Sequence, residues 1–341
     1  MSLVTFKHVA IAGLAYVDPP NRVTSLELEQ NFASTLERLG LRPGFIEKCA
    51  GIVARRFWDT GTLPSDMAAE AAARCLEKCD VAADKLGIIV NSSVSKDYIE
   101  PSVASIVSGK LGLPPSCLNF DITNACLGFL NAMQVVATMI DRGDIDYGMV
   151  VNCEDTRHIV SKTIERFNRE ACDEDTFRRN FTTLTLGSGA VAMLLCRREL
   201  CETAHPLELA YSMGATKHHQ LCTGQVDSML TDTIGLFMHS FDLIKSLLFG
   251  AMKGFNWNPD ERKELVIHQV NKIHTRKFLN MIKTKEEKVY CIYPEFGNVG
   301  PATIPLSLAK SAEAGRLQRG DRFSLMGIAS GLNSAILDAV W

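Results

Sequence analysis

Displaced by 177 residues, the chain falls on itself in order, and that internal repeat limits the folds open to it. "IIVNSS", from Ile88, meets "LVIHQV", from Leu265, and "RGDIDYGMVV", from Arg142, meets "RGDRFSLMGI", from Arg319. Between them "DITNAC" meets "NVGPAT", so Asp121 falls on Asn298 and Cys126 on Thr303. A later match, "GAVAMLLC" from Gly189 with "NSAILDAVW" from Asn333, needs a shift near 144. The difference implies an insertion of roughly thirty residues between Glu154 and Leu186 in the first half. Its text, "DTRHIVSKTIERFNREACDEDTFRRNFTT", is charged, as suits a cap over about 155–186. The expected organisation is an N-terminal half, 1–198, and a C-terminal half, 199–341, packed as one unit.

Within each half, strand and helix patterns alternate, which argues for an α/β fold. The strands "KLGIIV" and "YGMVV" are continuously apolar rather than alternating, as in a sheet covered on both faces. Val4 to Val17 reads as a first strand and not as a secretory leader, since it lacks a basic start and runs into "DPP". "SDMAAEAAARCLEKCD" reads as a helix capped by Ser65. The net charge of −3, without a basic block, gives no reason to expect nucleic acid or an anionic membrane surface. No uninterrupted apolar run suggests a membrane span. Eleven cysteines without paired spacing argue against a disulfide framework and for a cytoplasmic protein. His218, His219 and Cys222 in "HHQLC" have no second ligand pair, so no metal is expected there.

Cys126 stands in "NACLGF", between a strand and an apolar helix. A helix start offers free N–H groups and partial positive charge, which favour a thiolate nucleophile. By itself the cysteine better suits a small buried hydrophobe. His268 ends the apolar run of "KELVIHQVN", and the repeat turns it toward the same crevice, where it can act as a base. Asn298, in "FGNVGPATIP", offers a neutral donor to a developing oxyanion, although asparagine also suits a turn. "GIASGLN" is a small-residue turn whose Ser330 amide can form an oxyanion hole with that of Cys126. Glu100, before Pro101, reads either as a stabilising acid at a helix start or as a general base. "TLGSGAVAM" does not open a nucleotide-binding helix, and no cofactor is expected.

Taken together, "NACLGF", "HQVN", "FGNVGPATIP" and "GIASGLN" resemble the ketoacyl synthase III branch of the thiolase superfamily over essentially the whole chain. The resemblance implies a duplicated five-layer αβαβα fold, a homodimer and a Cys126–His268–Asn298 catalytic set. Asn271 would lie along the pantetheine channel. The segment "NSSVSKDYIEPSVASIVSGKLG" is similar to the subgroup of acyl-CoA condensing enzymes that begin bacterial long-chain olefin synthesis. There, the glutamate matching Glu100 serves as base in the neighbouring subunit's site. The resemblance thus implies condensation of two fatty acyl-CoA molecules without decarboxylation. The product would be a 2-alkyl-3-ketoacyl thioester, released as a β-keto acid for downstream enzymes. The helix-like stretch Thr233 to Phe255 suits an acyl channel, a core or a dimer interface equally. Alternatives are a decarboxylative ketoacyl-acyl-carrier-protein synthase III, a non-condensing acyl-binding partner, or thioester hydrolysis.

Overall fold

In the computed structural model, which describes residues 2–169 and 172–341, two five-stranded sheets share one topology. In the first, Val9–Val17 pairs with Gly189–Arg197 and that with Tyr147–Glu154, both antiparallel. Leu86–Asn91 and then Leu118–Asp121 follow in parallel. In the second sheet His205–Gly214, Asn333–Val340, Arg322–Ala329 and Glu264–Ile267 repeat the antiparallel, antiparallel, parallel sequence. The sheets meet at two residue pairs, Ala10 with Pro206 and Ile11 with His205. The strands matched by the 177-residue shift hold corresponding places, as a duplication requires. Only the first sheet has Leu118–Asp121, because the counterpart segment forms the short helix Tyr293–Phe296.

Both faces of each sheet are covered, which is why the strands are continuously apolar. Ile88 and Val90 point to the central layer, where Gly128–Arg142 and Thr303–Glu313 bury Val136, Ile140, Ile304 and Leu308 against both sheets. Ile89, between them in sequence, points outward to Ala68, Ala72 and Val107 on Pro64–Cys79 and Val103–Leu111. On the other outer face, Thr233–Phe255 and Lys272–Met281 set Phe241, Ile244, Leu247 and Phe278 on Leu265, Met326 and Ile336. The result is helices, sheet, helices, sheet, helices: the five layers expected. Thr233–Phe255 is, among the described residues, one helix long and apolar enough to cross a membrane. Its inner face is nevertheless seated on the sheet, while Ile234, Met238 and Phe249 are exposed.

The 155–186 stretch folds as the helices Arg157–Phe167 and Glu174–Asn180 followed by the turn Phe181–Thr185. Glu165, Arg169, Glu174, Asp175, Arg178 and Arg179 are exposed, and Phe167, Phe177 and Leu184 share a buried cluster with Phe32, Leu36 and Ile46.

Two local expectations are corrected. The first strand is broken into Ser2–Thr5, which pairs in the second sheet, and Val9–Val17 in the first. Asp141 captures the amides of Lys7 and His8 at 2.7 and 2.8 Å, which removes them from any ladder. Ser65 does not cap its helix: Leu63 holds that position, Pro64 starts the helix, and Asp97 accepts from the Ser65 amide at 2.9 Å.

Candidate active site

Cys126 occupies a tight turn between a parallel strand and a central helix. Leu127 N–H donates to Asn124 O at 3.0 Å and Gly128 N–H to Ala125 O at 3.1 Å. Ala125 has φ +44°, a conformation that costs a non-glycine residue about 1–2 kcal/mol and that holds the cysteine clear of the strand. Glycine is required at 128, since a Cβ there would lie 2.8 Å from the Ser92 carbonyl oxygen.

The half-buried Cys126 thiol is pushed up to about 12, chiefly by burial and then by Cys222 and Glu154. The helix start was expected to favour the thiolate, and here burial acts against it. The helix begins only at Gly128, two residues on, and desolvation outweighs its partial charge.

His268 lies one residue beyond Glu264–Ile267, and its amide donates to Met326 O at 2.8 Å. Burial, then His274, pushes its imidazole down to about 3, so it is neutral. The same neighbourhood reaches the cysteine turn through Gly327. With His268 and Met326, Gly327 lines a small cavity of about 20 Å³, and a Cβ on Gly327 would meet Leu127 Cδ2 at 2.5 Å.

Asn298 is buried and fixed by its backbone: its N–H donates to Thr185 O at 2.8 Å and its carbonyl accepts from Gly187 at 3.0 Å. Gly300 N–H donates to Oδ1 at 3.0 Å, which leaves the NH2 edge as the available donor. Ser330 sits in the loop between Arg322–Ala329 and Asn333–Val340. Asn333 ties that loop to the nucleophile turn by donating to Asn124 Oδ1 at 3.2 Å, and Asn124 in turn donates to Asn131 at 2.8 Å. The motifs "NACLGF" and "GIASGLN", 209 positions apart at that bond, are therefore adjacent in space.

Glu100 is exposed and makes no hydrogen bond or ion pair among the described residues. Asn271 caps Lys272–Met281, accepting from His274 N–H at 2.8 Å, so its oxygen is committed and its NH2 alone can serve a ligand. Sequence reasoning missed Glu154, buried at the end of Tyr147–Glu154 and close enough to bear on the Cys126 thiol. The signal was an acid closing an otherwise apolar strand. Among the described residues no group of three or more His, Cys, Asp or Glu can hold a metal.

The family models described as 3-oxoacyl-[acyl-carrier-protein] synthase III and its C-terminal region match residues 120–211 and 252–339. The chain belongs to this family. It is 41% identical to the acyl-CoA:acyl-CoA alkyltransferase of Xanthomonas campestris, over 98% of this chain and 99% of that protein. It is 32% identical to the Shewanella oneidensis protein of the same description, over 98% and 99%. A crystal structure of a cysteine-to-serine variant of Xanthomonas campestris OleA, with bound lauric acid and lauroyl-CoA, superposes with a TM-score of 0.96. It is 41% identical and covers 98% of this chain and all of that one. Other solved variants of the same synthase III relative replace a glutamate and a histidine. The three replaced positions have the same separations along that chain as Glu100, Cys126 and His268 have here.

Proposed function

We propose that this protein is an acyl-CoA:acyl-CoA alkyltransferase that joins two fatty acyl-CoA molecules head to head without decarboxylation. The observation that carries this reading is Glu100, present at the position whose spacing to Cys126 and His268 is that of the altered glutamate in the Xanthomonas relative. A carboxylate base is needed when an unactivated acyl thioester must supply the carbanion, and is superfluous when loss of carbon dioxide supplies it.

In the first half-reaction Cys126 attacks the thioester of one fatty acyl-CoA and neutral His268 takes the thiol proton. The oxyanion rests on the amides of Cys126 and Ser330. CoA leaves with the proton, and the acyl group stays on sulfur. In the second, Glu100 removes a proton from the α-carbon of another acyl-CoA, while Asn298 NH2 and His268 hold the enolate oxygen. The α-carbon attacks the acyl-cysteine, the Cys126–acyl bond breaks, the released sulfur regains a proton to balance the one Glu100 removed, and a 2-alkyl-3-ketoacyl-CoA results. Hydrolysis of its thioester gives the β-keto acid, a substrate for decarboxylating or reducing enzymes that act next. No cofactor enters these steps, and Asn271 NH2 is placed here as a pantetheine contact.

The same reading makes the protein a homodimer. Leu118–Asp121 is a sheet edge with Leu118 and Phe120 exposed, and the adjoining segment exposes Tyr98 and, at 95%, Ile99. An unpaired apolar edge is a ready interface for a second copy. Seated there, Glu100 would serve the neighbour's Cys126. Eleven free cysteines support a reducing, cytoplasmic location.

The test is product analysis with purified protein and fatty acyl-CoA as sole substrate. A β-keto acid, or the ketone it forms on losing carbon dioxide, is expected. Product only when a malonyl thioester is added would assign the chain to decarboxylative synthases instead. No acyl adduct on Cys126 by intact mass would remove the nucleophile.

A further inference from the structure

The segment that carries Glu100 is tied down at both ends by carboxylates, and one of them also touches the rest of the site. At the far end Asp121 accepts from the amides of Val103 and Ala104 at 3.2 and 2.9 Å and pairs with Lys96 at 3.1 Å. At the near end Glu154 Oε1 accepts from Val94 N–H at 2.8 Å, and Oε2 from Ser95 N–H at 3.1 Å and Ser95 Oγ at 2.8 Å. Ser95 Oγ also bonds the Asp155 backbone, accepting from its N–H at 3.0 Å. Between these anchors the tip with Tyr98, Ile99 and Glu100 stands exposed.

Glu154 looks the other way as well. Its side chain borders the Asn298 turn, since a Cβ on Gly300 would lie 3.7 Å from Glu154 Cγ. Asn152 donates to both Glu154 Oε1 at 3.3 Å and Ser92 Oγ at 3.1 Å. Ser92 in turn abuts Gly128, where the nucleophile helix begins. One side chain therefore touches both the Glu100 segment and the Asn298 turn, while the Cys126 helix is reached only through Asn152 and Ser92.

It does so at a cost. Among the described residues Glu154 has no cationic partner, and burial pushes its carboxyl up to about 7 against the hydrogen bonds it accepts. A neutral side chain would avoid that desolvation. It could not, however, offer two acceptor oxygens to two consecutive amides and a hydroxyl; an amide would turn its NH2 onto a donor.

We infer that Glu154 is a positioning residue for the carbon–carbon bond-forming half-reaction, fixing the root of the segment from which Glu100 reaches the neighbouring subunit's site. This rests on the reading of Glu100 as base. It needs no contact between Glu154 and substrate. Cys126 acylation does not use the Glu100 segment, and loss of a negative charge beside the thiol does not hinder its ionisation.

The test separates the half-reactions in the full-length protein. Acylation is followed by intact mass after mixing with a fatty acyl-CoA, and condensation by product formation. Glu154→Gln is expected to acylate at least as fast as wild type while condensing at least about tenfold more slowly, the range for a misplaced reacting group. Ser95→Ala, which keeps the carboxylate and removes one of its ties, should show the same split more weakly, and decides the matter if Glu154→Gln does not fold. In a Glu100→Gln background, Glu154→Gln should add no further loss of condensation. Equal losses in both half-reactions, or no loss in either, would overturn the positioning role while leaving Glu100 as base. Full condensation by Glu100→Gln alone would instead overturn the reading on which it rests.

Discussion

Asn333 donates to Asn124 across 3.2 Å, joining the last loop of the second half to the turn that presents Cys126 in the first. Asn124 passes the restraint to Asn131 in the helix that follows. A neutral hydrogen bond of this kind contributes about 0.5–1.5 kcal/mol to stability. Its larger effect is on registration, because the proposed reaction needs the amides of Ser330 and Cys126 at one oxygen. Asn333→Ala should therefore lower kcat for condensation roughly tenfold or more, with a stability loss of about 1 kcal/mol in urea unfolding. A stability loss with unchanged kcat would show that the bond matters only to folding.

The Cys126 thiol and the His268 imidazole are both neutral at rest, at about 12 and about 3. At pH 8 the thiolate fraction is then on the order of 10⁻⁴. Alkylation of Cys126 by iodoacetamide should be slow and should rise about tenfold per pH unit from pH 7 to 10. A plateau centred near pH 7 would mean that a thiolate–imidazolium pair already exists in the free enzyme. Acyl-CoA should react readily where iodoacetamide does not, since the oxyanion amides assist only the acyl transfer.

Gly187 holds the turn that carries Asn298. Its amide donates to the Asn298 carbonyl, and a Cβ on Gly187 would lie 1.9 Å from the Phe296 carbonyl oxygen. Backbone cannot yield as a side-chain tip can, so Gly187→Ala must displace the Asn298 turn. A displacement near 1 Å is expected to cost about 10²-fold in condensation. Overpacking should cost about 1–3 kcal/mol in stability. Restored activity on lowering the temperature would point to unfolding rather than to a displaced donor.

If Glu100 reaches the neighbour's site, two inactive variants should rescue each other. In a dimer of Cys126→Ala with Glu100→Gln, one of the two sites has both an intact cysteine and an intact glutamate. Random exchange makes half the dimers mixed, so about one quarter of wild-type activity should return. No return after subunit exchange, verified by mass, would place Glu100 at its own subunit's cysteine.

Much of this arrangement was legible in the sequence because duplication and burial leave periodic marks. Continuously apolar strands required two covered faces, and Ile88, Ile89 and Val90 do divide between two layers. The repeat identified which strands hold corresponding places in the two sheets. What escaped notice depends on contacts distant in sequence. Asp141 breaks the first strand from 133 or more residues away. Asp97, 32 residues on, accepts from the amide of Ser65 itself, which lies inside the helix it was expected to cap. The thiol's ionisation depends on desolvation, which local pattern does not express. Glu154 was hidden for the same reason: its partners Val94 and Ser95 lie 59 or 60 residues earlier.

Burial of neutral histidines also sets how the fold responds to acid. His268 and His274 are pushed down to about 3 and about 4, in each case mainly by burial. Each unfolded imidazole binds a proton below about 6.5, whereas the folded one does not until its lowered value is passed. The unfolded state therefore gains protons first, and stability is lost as pH falls from about 6.5 toward 4. Glu154, raised to about 7, acts in the opposite sense over pH 7 to about 4.5. Comparing wild type with His274→Phe isolates one histidine, and Phe241 already stands 5.1 Å from the His274 ring to receive an aromatic replacement. The stability of wild type relative to this variant should fall by up to about 1.4 kcal/mol per pH unit between pH 6.5 and 4.5. Urea midpoints at several pH values measure it. A difference independent of pH would mean that His274 titrates alike in the folded and unfolded chains.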